Sequence, residues 1–424
     1  FMAASPRLSP LTALPLAAVV GALCGAASAL FLALLDRATA FREGHEGIIY
    51  TLPVAGLAIG AIYERYGTSI LPGNNLVIDA LFATCRERGS AEQPAPIPLR
   101  LAPMVLVATV LTHLFGGSAG REGTAVQMGG ALADAVASRV PKQAQLRHAL
   151  LSAGVAGGFG SVFGTPLAGA IFAMEFVVIG RPNYAAVAAT LLAAYVGDFT
   201  TRALGITHSS YPQVATVPIT PILLGKWVLF AGLVALTTVA FIELLHLIKK
   251  QAARLLPRLP LRMAVGGVAI VVLWKLTGTS EFLGLGVPTI LRAFHDPNLA
   301  SYTSIAKLVA TAVTLGAGFQ GGEVTPLFYV GAALGNLCAP LLGVPTELAA
   351  GVGLAAVFAA ASNSPIALTV MAVELLGGSI LPHAFVVCVV AFLLTGSRSI
   401  YPAQRISRLK NGARLARATA LRDL

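Results

Sequence analysis

Charged side chains are scarce in this sequence. Only 11% of its 424 residues are Asp, Glu, Lys or Arg, less than half of the about 25% usual for a soluble domain. So few charges leave too little polar surface to cover a water-facing globule, and 56% of the residues are apolar. Cysteine is nearly absent too. Cys24, Cys85, Cys338 and Cys388 are scattered, without a CxxC spacing or a nearby His, which excludes a disulfide framework and leaves no metal site or cofactor to expect. They read as small buried hydrophobes. There is no HExxH, no GxSxG and no paired acid or Ser/His spacing, so no enzyme is expected. His113, His246 and His383 stand alone, and each is expected at a helix end.

What is abundant is apolar sequence interrupted by Gly and Pro. The runs 11–35, 101–115, 184–204, 222–248, 263–276, 305–318 and 385–394 are apolar enough for helices in lipid. Several fall short of the about 20 residues that span a bilayer. The 44 Gly and 25 Pro crowd the run edges. Short, broken helices are tolerated at membrane depth only when buried in protein or lining a polar cavity. The expectation is a polytopic, all-α transporter or channel in contact with membrane lipid, not a single anchor. Phe1-Met2 reads as a scar before a native start, and the first run as a retained helix rather than a cleaved signal.

The net charge is +11. Its basic residues gather at Arg139, Lys142 and Arg147, at Lys249, Lys250, Arg254, Arg258 and Arg262, and in the tail from Arg405 to Arg422. The positive-inside rule puts these on the cytoplasmic face. A nucleic-acid-binding tail is the competing reading, but no soluble domain carries it, so no nucleic-acid partner is expected.

The chain also repeats itself. Gly120-Arg121-Glu122-Gly123-Thr124 returns as Gly321-Gly322-Glu323-Val324-Thr325, and Gly130-Ala131 as Gly331-Ala332, at an offset of 201. Pro166 through Glu175 returns as Pro365 through Glu374, at an offset of 199. Two motifs agreeing to within two residues imply one transmembrane unit, 1–424, made of two halves, 11–205 and 215–415. Transporters built from such repeats aim broken-helix N-termini at an anion near the midplane. Exposed N–H groups at a helix start hold an anion without a full positive charge. The glycines of 154–160 are read instead as close helix packing. Gly316-Ala-Gly318-Phe-Gln-Gly321 matches a dinucleotide fingerprint only in letters, since no strand precedes it.

These residues carry a resemblance. Gly120 through Thr124 resembles the GREGP motif of the CLC anion channels and transporters, and Gly322-Glu-Val-Thr-Pro326 stands where that family has GxFxP. Gly73-Asn74-Asn75-Leu76 looks like the GSGIP site, and Tyr401 occupies the place of the central tyrosine. The similarity runs from about residue 11 to about residue 415. It implies a fold of two inverted repeats of many tilted and broken helices, in a homodimer with one pore per subunit.

Departures from the pattern point to a branch. Asn74 replaces the GSGIP serine, Thr124 replaces the proline of GREGP, and Glu323 and Val324 are foreign to GxFxP. Phe176 stands where chloride antiporters keep an inner glutamate. Together these resemble the fluoride-exporting members, which implies exchange of fluoride for protons. A chloride/proton antiporter or a passive channel is the alternative. The resemblance then implies anion contacts at Asn74, Gly123, Val324, Thr325 and Tyr401. Fluoride is small and tightly hydrated, so its site must supply firm donors, and the Asn74 amide and the Thr325 hydroxyl are such groups. The competing reading makes Asn74 only a turn residue and Thr325 only a cap, but the loops they occupy favour the functional one.

Intramembrane acids are costly, about 2.5–3.5 kcal/mol on insertion scales, and so are functional candidates. Glu122 is expected to gate: ionised, it takes the anion's place, and protonated, it leaves. Glu323 is either a second proton carrier or a structural hydrogen-bonding group. Glu175 and Glu374 close apolar helices and read as structural or cytoplasm-facing. The role of Arg121 stays open. With no regulatory domains after Leu424 like those of many eukaryotic members, a bacterial plasma-membrane protein with a cytoplasmic C-terminal tail is expected.

Overall fold

A computed structural model describes residues 10–86, 95–140, 144–410 and 412–424. Phe1, Met2, Lys142 and the side chain of Cys85 lie outside the described residues. Sixteen helices are present among the described residues. They are α1 (Pro10–Gly44), α2 (Leu52–Tyr66), α3 (Asn74–Arg86), α4 (Leu101–Leu114), α5 (Glu122–Ala137), α6 (Ala144–Phe163), α7 (Pro166–Glu175) and α8 (Val187–Ala203). After the connection that ends at Thr220 come α9 (Pro221–Leu255), α10 (Leu259–Thr277), α11 (Val287–Arg292), α12 (Thr303–Gly316), α13 (Val324–Leu342), α14 (Thr346–Ser362), α15 (Pro365–Leu376) and α16 (Leu381–Leu394).

Each of the seven apolar runs falls on a helix. Among the described residues, five helical segments, in α1, α2, α9, α10 and α13, are long and apolar enough to cross a membrane. Among the others, α7 has only 10 residues and α5 16, and both are buried along most of their length. A short helix buried in protein needs no lipid-spanning length. Among the described residues, seven helices besides α1, which opens on Pro10, carry Pro in the first or second position, where the missing N–H has no intrahelical partner to lose.

The helical fold ends in a short hairpin, β1 (Arg405–Arg408) and β2 (Arg414–Ala420), paired antiparallel. Its turn is set by Gly412, whose φ of 95° suits glycine, and whose N–H donates to the Leu409 carbonyl. His246 lies inside α9 rather than at an end. The apolar run stops at 248, but Lys249 to Leu255 continues the helix through good helix formers. His113 and His383 do sit near helix ends, though neither is isolated. Trp227 Nε1 donates to His383 Nδ1 at 3.0 Å.

Close packing explains the glycines of α6. A Cβ on Gly154 would strike the Gly129 backbone of α5, and one on Gly158 the Ala125 carbonyl. Gly331 and Gly353 face each other in the same manner between α13 and α14.

The short helices α7 and α15 cap one another. Glu175, at the end of α7, accepts from Ala367 N at 2.8 Å. Glu374, near the end of α15, accepts from Leu167 N at 3.0 Å and Ala168 N at 2.8 Å. Each carboxylate satisfies first-turn N–H groups that have no intrahelical acceptor, at the positive end of the other helix dipole. The two acids are therefore reciprocal caps. Glu175→Ala, with Glu175 buried, should lower stability by about 1–3 kcal/mol, the cost of leaving a buried donor without its charged acceptor. Thermal unfolding in detergent measures this, and an unchanged midpoint would refute the cap.

Candidate functional site

The two glycine-rich loops meet. Gly120 N donates to Gly322 O at 2.6 Å and Gly322 N to Gly120 O at 2.8 Å, an antiparallel bridge between positions 202 residues apart. Only glycine permits it: a Cβ on Gly322 would lie 2.7 Å from Gly123 N, and one on Gly120 2.9 Å from Gly322 O. The first loop is further stitched to α12. Ser118 N donates to Thr314 Oγ1 at 3.1 Å, and Ser118 Oγ bonds Thr311 Oγ1 at 2.9 Å. Both ring nitrogens of His113 meet carbonyls, Thr109 O at 2.8 Å and Ala119 O at 2.9 Å.

This bridge sets the first residues of α5 and α13 side by side. Glu122 opens α5 and is fully buried. Its Oε1 accepts from the Thr325 hydroxyl at 2.5 Å. Its Oε2 accepts from Thr325 N at 3.2 Å and from Arg121 N at 3.1 Å. The carboxylate thus rests on the N-terminal donors of α13, where exposed N–H groups favour negative charge. Arg121 Nε lies 3.4 Å from Glu122 Oε1 but makes no hydrogen bond. The geometry makes Arg121 a loose ion-pair neighbour of Glu122.

A second group gathers around Gly123. A Cβ there would lie 2.9 Å from Asn74 Nδ2 and 3.5 Å from Glu323 Oε2, so glycine leaves the space into which both side chains reach. Asn74 opens α3, and Glu323 holds the cap position of α13. Val324 is the first residue of α13 and is buried. Tyr401 is buried, its ring edge-on to Phe176 with centroids 5.3 Å apart. Thr124, at the departed proline position, bonds Thr109 Oγ1 at 2.8 Å and serves to join α5 to α4.

Sequence reasoning missed Gln127. It lies on the face of α5 shared with Gly123, four residues on, and its amide packs on Gly73 at 3.1–3.3 Å from where a Cβ would stand. That helical spacing was the signal available for it. Asn74 Oδ1, Gln127 Oε1 and Glu323 Oε2 are all buried and have no hydrogen-bond partner. Buried acceptors without donors are costly, about 1–3 kcal/mol each, and such groups concentrate at places where something else binds or a proton is taken up.

A cavity of about 900 Å³ opens toward this region, lined in part by Arg42, Glu43, Arg121, Lys275, Glu281 and Thr289. It lies at the Thr277 end of α10, opposite the basic segment that precedes Leu259.

Many helices, several too short to span alone, surround paired loops where helix starts converge. That defines a polytopic membrane protein with a buried polar centre. The chain belongs to the voltage-gated chloride channel family, the CLC family, whose family model matches residues 55–396. It is 44% identical over 422 residues to a "Chloride/fluoride channel protein" of Pseudomonas syringae pv. tomato, covering 97% of this chain and 90% of that one. To the "H(+)/Cl(-) exchange transporter ClcA" of Vibrio parahaemolyticus it is 26% identical, over 95% of this chain and 91% of that one. Among solved structures, the crystal structure of a CLC-type fluoride/proton antiporter superimposes with a TM-score of 0.89 at 35% identity, covering 95% of this chain and all of that one. A slow cyanobacterial Cl⁻/H⁺ antiporter matches with a TM-score of 0.72 at 19% identity, over 94% of this chain and 97% of that one, a likeness of fold.

Proposed function

We propose that this protein exports fluoride in exchange for protons. The observation that carries the reading is the seat of Glu122: its carboxylate occupies the hydroxyl and amide of Thr325 at the start of α13. A fluoride ion needs the same firm donors. Ionised Glu122 and the anion compete for them. Protonated, Glu122 becomes a weaker acceptor and yields the place, so anion entry and proton uptake are tied at one site. Asn74, Gly123, Val324 and Tyr401 complete the anion's surroundings, and Glu323 serves as a second carboxylate beside them. The likeness in sequence to a chloride/fluoride channel protein and in structure to a fluoride/proton antiporter supports the fluoride reading.

In this reading the halves 11–205 and 215–415 are inverted repeats, with Glu122 and Glu323 as counterparts. The protein works in the inner membrane of a bacterium as a homodimer with one pore per subunit. The basic hairpin faces the cytoplasm, following the positive-inside rule, and the cavity at Arg121 is the outer vestibule.

The test is anion efflux from proteoliposomes, fluoride against chloride, with pH followed outside. Fluoride should leave at least about tenfold faster than chloride, the discrimination expected when about 1.4 kcal/mol of donor strength separates two anions. Equal or faster chloride flux would favour a chloride/proton antiporter. Fluoride flux without proton movement would favour a passive channel.

A further inference from the structure

Asn74 and Tyr401 lie 327 positions apart in the sequence, yet the proposed site needs both. The residue that joins them is Asn75. Its side-chain Oδ1 accepts from Ala403 N at 3.0 Å, while its Nδ2 donates to Pro72 O at 3.3 Å. The amide orientation is fixed, because one partner is a backbone donor and the other a backbone acceptor. Asn75 is thus the pin between the first turn of α3 and the segment two residues past Tyr401.

The pin is reinforced along the same face of α3. Asp79, four residues on, accepts from Arg405 Nη2 at 2.9 Å and from Arg422 Nη2 at 3.0 Å. The Tyr401 segment is itself held on its other side. Tyr401 N donates to Ser399 Oγ at 2.9 Å, Arg405 N to Val177 O at 3.0 Å, and Gln404 Nε2 to Phe176 O at 3.0 Å. Tyr401 is therefore stitched between the residues after α7 and the start of α3.

We propose that Asn75 is a positioning residue for anion selectivity: by pinning α3 to the Tyr401 segment it fixes the spacing between Asn74 and Tyr401. This rests on the reading that those two side chains bound the anion. A small anion is bound well only where donors stay close, since it must recover the hydration it gives up. A larger anion is excluded only if the same gap cannot widen. Both properties come from rigidity, and the Asn75–Ala403 bond together with the Asp79 ion pairs supplies it. Cutting the pin lets the gap breathe, which weakens fluoride binding and admits chloride.

The experiment compares fluoride and chloride flux in proteoliposomes for the parent, Asn75→Leu, Asn75→Asp and Asp79→Asn. Leucine keeps the volume and removes both bonds. Aspartate keeps an acceptor for Ala403 N. The fluoride-over-chloride ratio should fall about five- to tenfold in Asn75→Leu, the scale of one lost hydrogen bond, and recover in Asn75→Asp, with protons moved per fluoride unchanged. A parental ratio in Asn75→Leu overturns the proposal, as does an equal fall in Asn75→Asp. Should Asn75→Leu not yield folded protein, Asp79→Asn carries the test. It should lower the ratio in the same direction but less, and a parental ratio there overturns the proposal. If the parent itself passes chloride as fast as fluoride, the fluoride reading fails. The pin is then read from the KM of the transported anion, which should rise in Asn75→Leu and return in Asn75→Asp; an unchanged KM sinks it.

Discussion

Glu122→Gln should abolish fluoride-driven proton movement, lowering coupled proton uptake about a hundredfold or more, the usual scale for losing a positioned proton-transfer group. Glutamine has the size of glutamate but neither its charge nor its titration. In the structure Glu122 uses both oxygens, one toward the Thr325 hydroxyl and one toward the amides of Thr325 and Arg121. Glutamine can keep the second set with its carbonyl. It turns its NH₂ toward the Thr325 hydroxyl, which can reverse and accept. The loop therefore survives and the chemistry does not: a neutral side chain neither shuttles a proton nor competes as an anion. The result is either a silent transporter or an uncoupled fluoride leak. Glu323→Gln is the companion. Its Oε2 has no hydrogen-bond partner, and glutamine keeps a carbonyl acceptor of the same reach, so any large fall in coupling there marks a proton carrier. Proteoliposomes with an outward fluoride gradient, assayed for proton uptake, give the answer. Parental uptake in Glu122→Gln would move the gate to another carboxylate.

Much of this centre was legible because its chemistry is local in sequence. Gly120 to Thr124 and Gly321 to Thr325 announce two helix starts, and the acid in each is a costly residue that membrane burial makes conspicuous. The apolar runs located helices for the same reason. Other helices were hidden by composition. α6 and α14 are rich in Ala and Gly and fully packed by protein, so they do not look like lipid-facing spans. α2 carries Glu64 and Arg65 in its last turn, which blunts its apolar signal. The tail hairpin has alternating Arg and small residues and no aromatic or Ile/Val run beyond Ile406, so only its charge was visible. Least legible were contacts between distant segments. Nothing in one sequence pairs Asn75 with Ala403, or tells that Glu175 and Glu374 cap each other's helices rather than face solvent.

Thr325→Ala should raise the KM for fluoride about tenfold or more, since hydrogen bonds to charged partners contribute about 1.5–3 kcal/mol and 1.4 kcal/mol is a factor of ten. Thr325 is buried and supplies two donors to one place, its amide and its hydroxyl, both now spent on Glu122. Alanine keeps the amide and deletes the hydroxyl. The carboxylate loses the partner of Oε1 but retains two donors on Oε2, so its resting seat is weakened less than that of a monatomic anion. Competition therefore tilts toward the carboxylate, and fluoride must be more concentrated to displace it. Chloride, a weaker hydrogen-bond acceptor, loses less, so the fluoride preference falls with the affinity. Thr325→Ser is the control that separates the hydroxyl from the methyl group, and it should restore most of the parental KM. Concentration-dependent fluoride efflux in the three proteins decides it. If alanine and serine behave alike, the hydroxyl does no more than hold Glu122 at its resting seat, and the fluoride selectivity must come from Asn74 and Tyr401 instead.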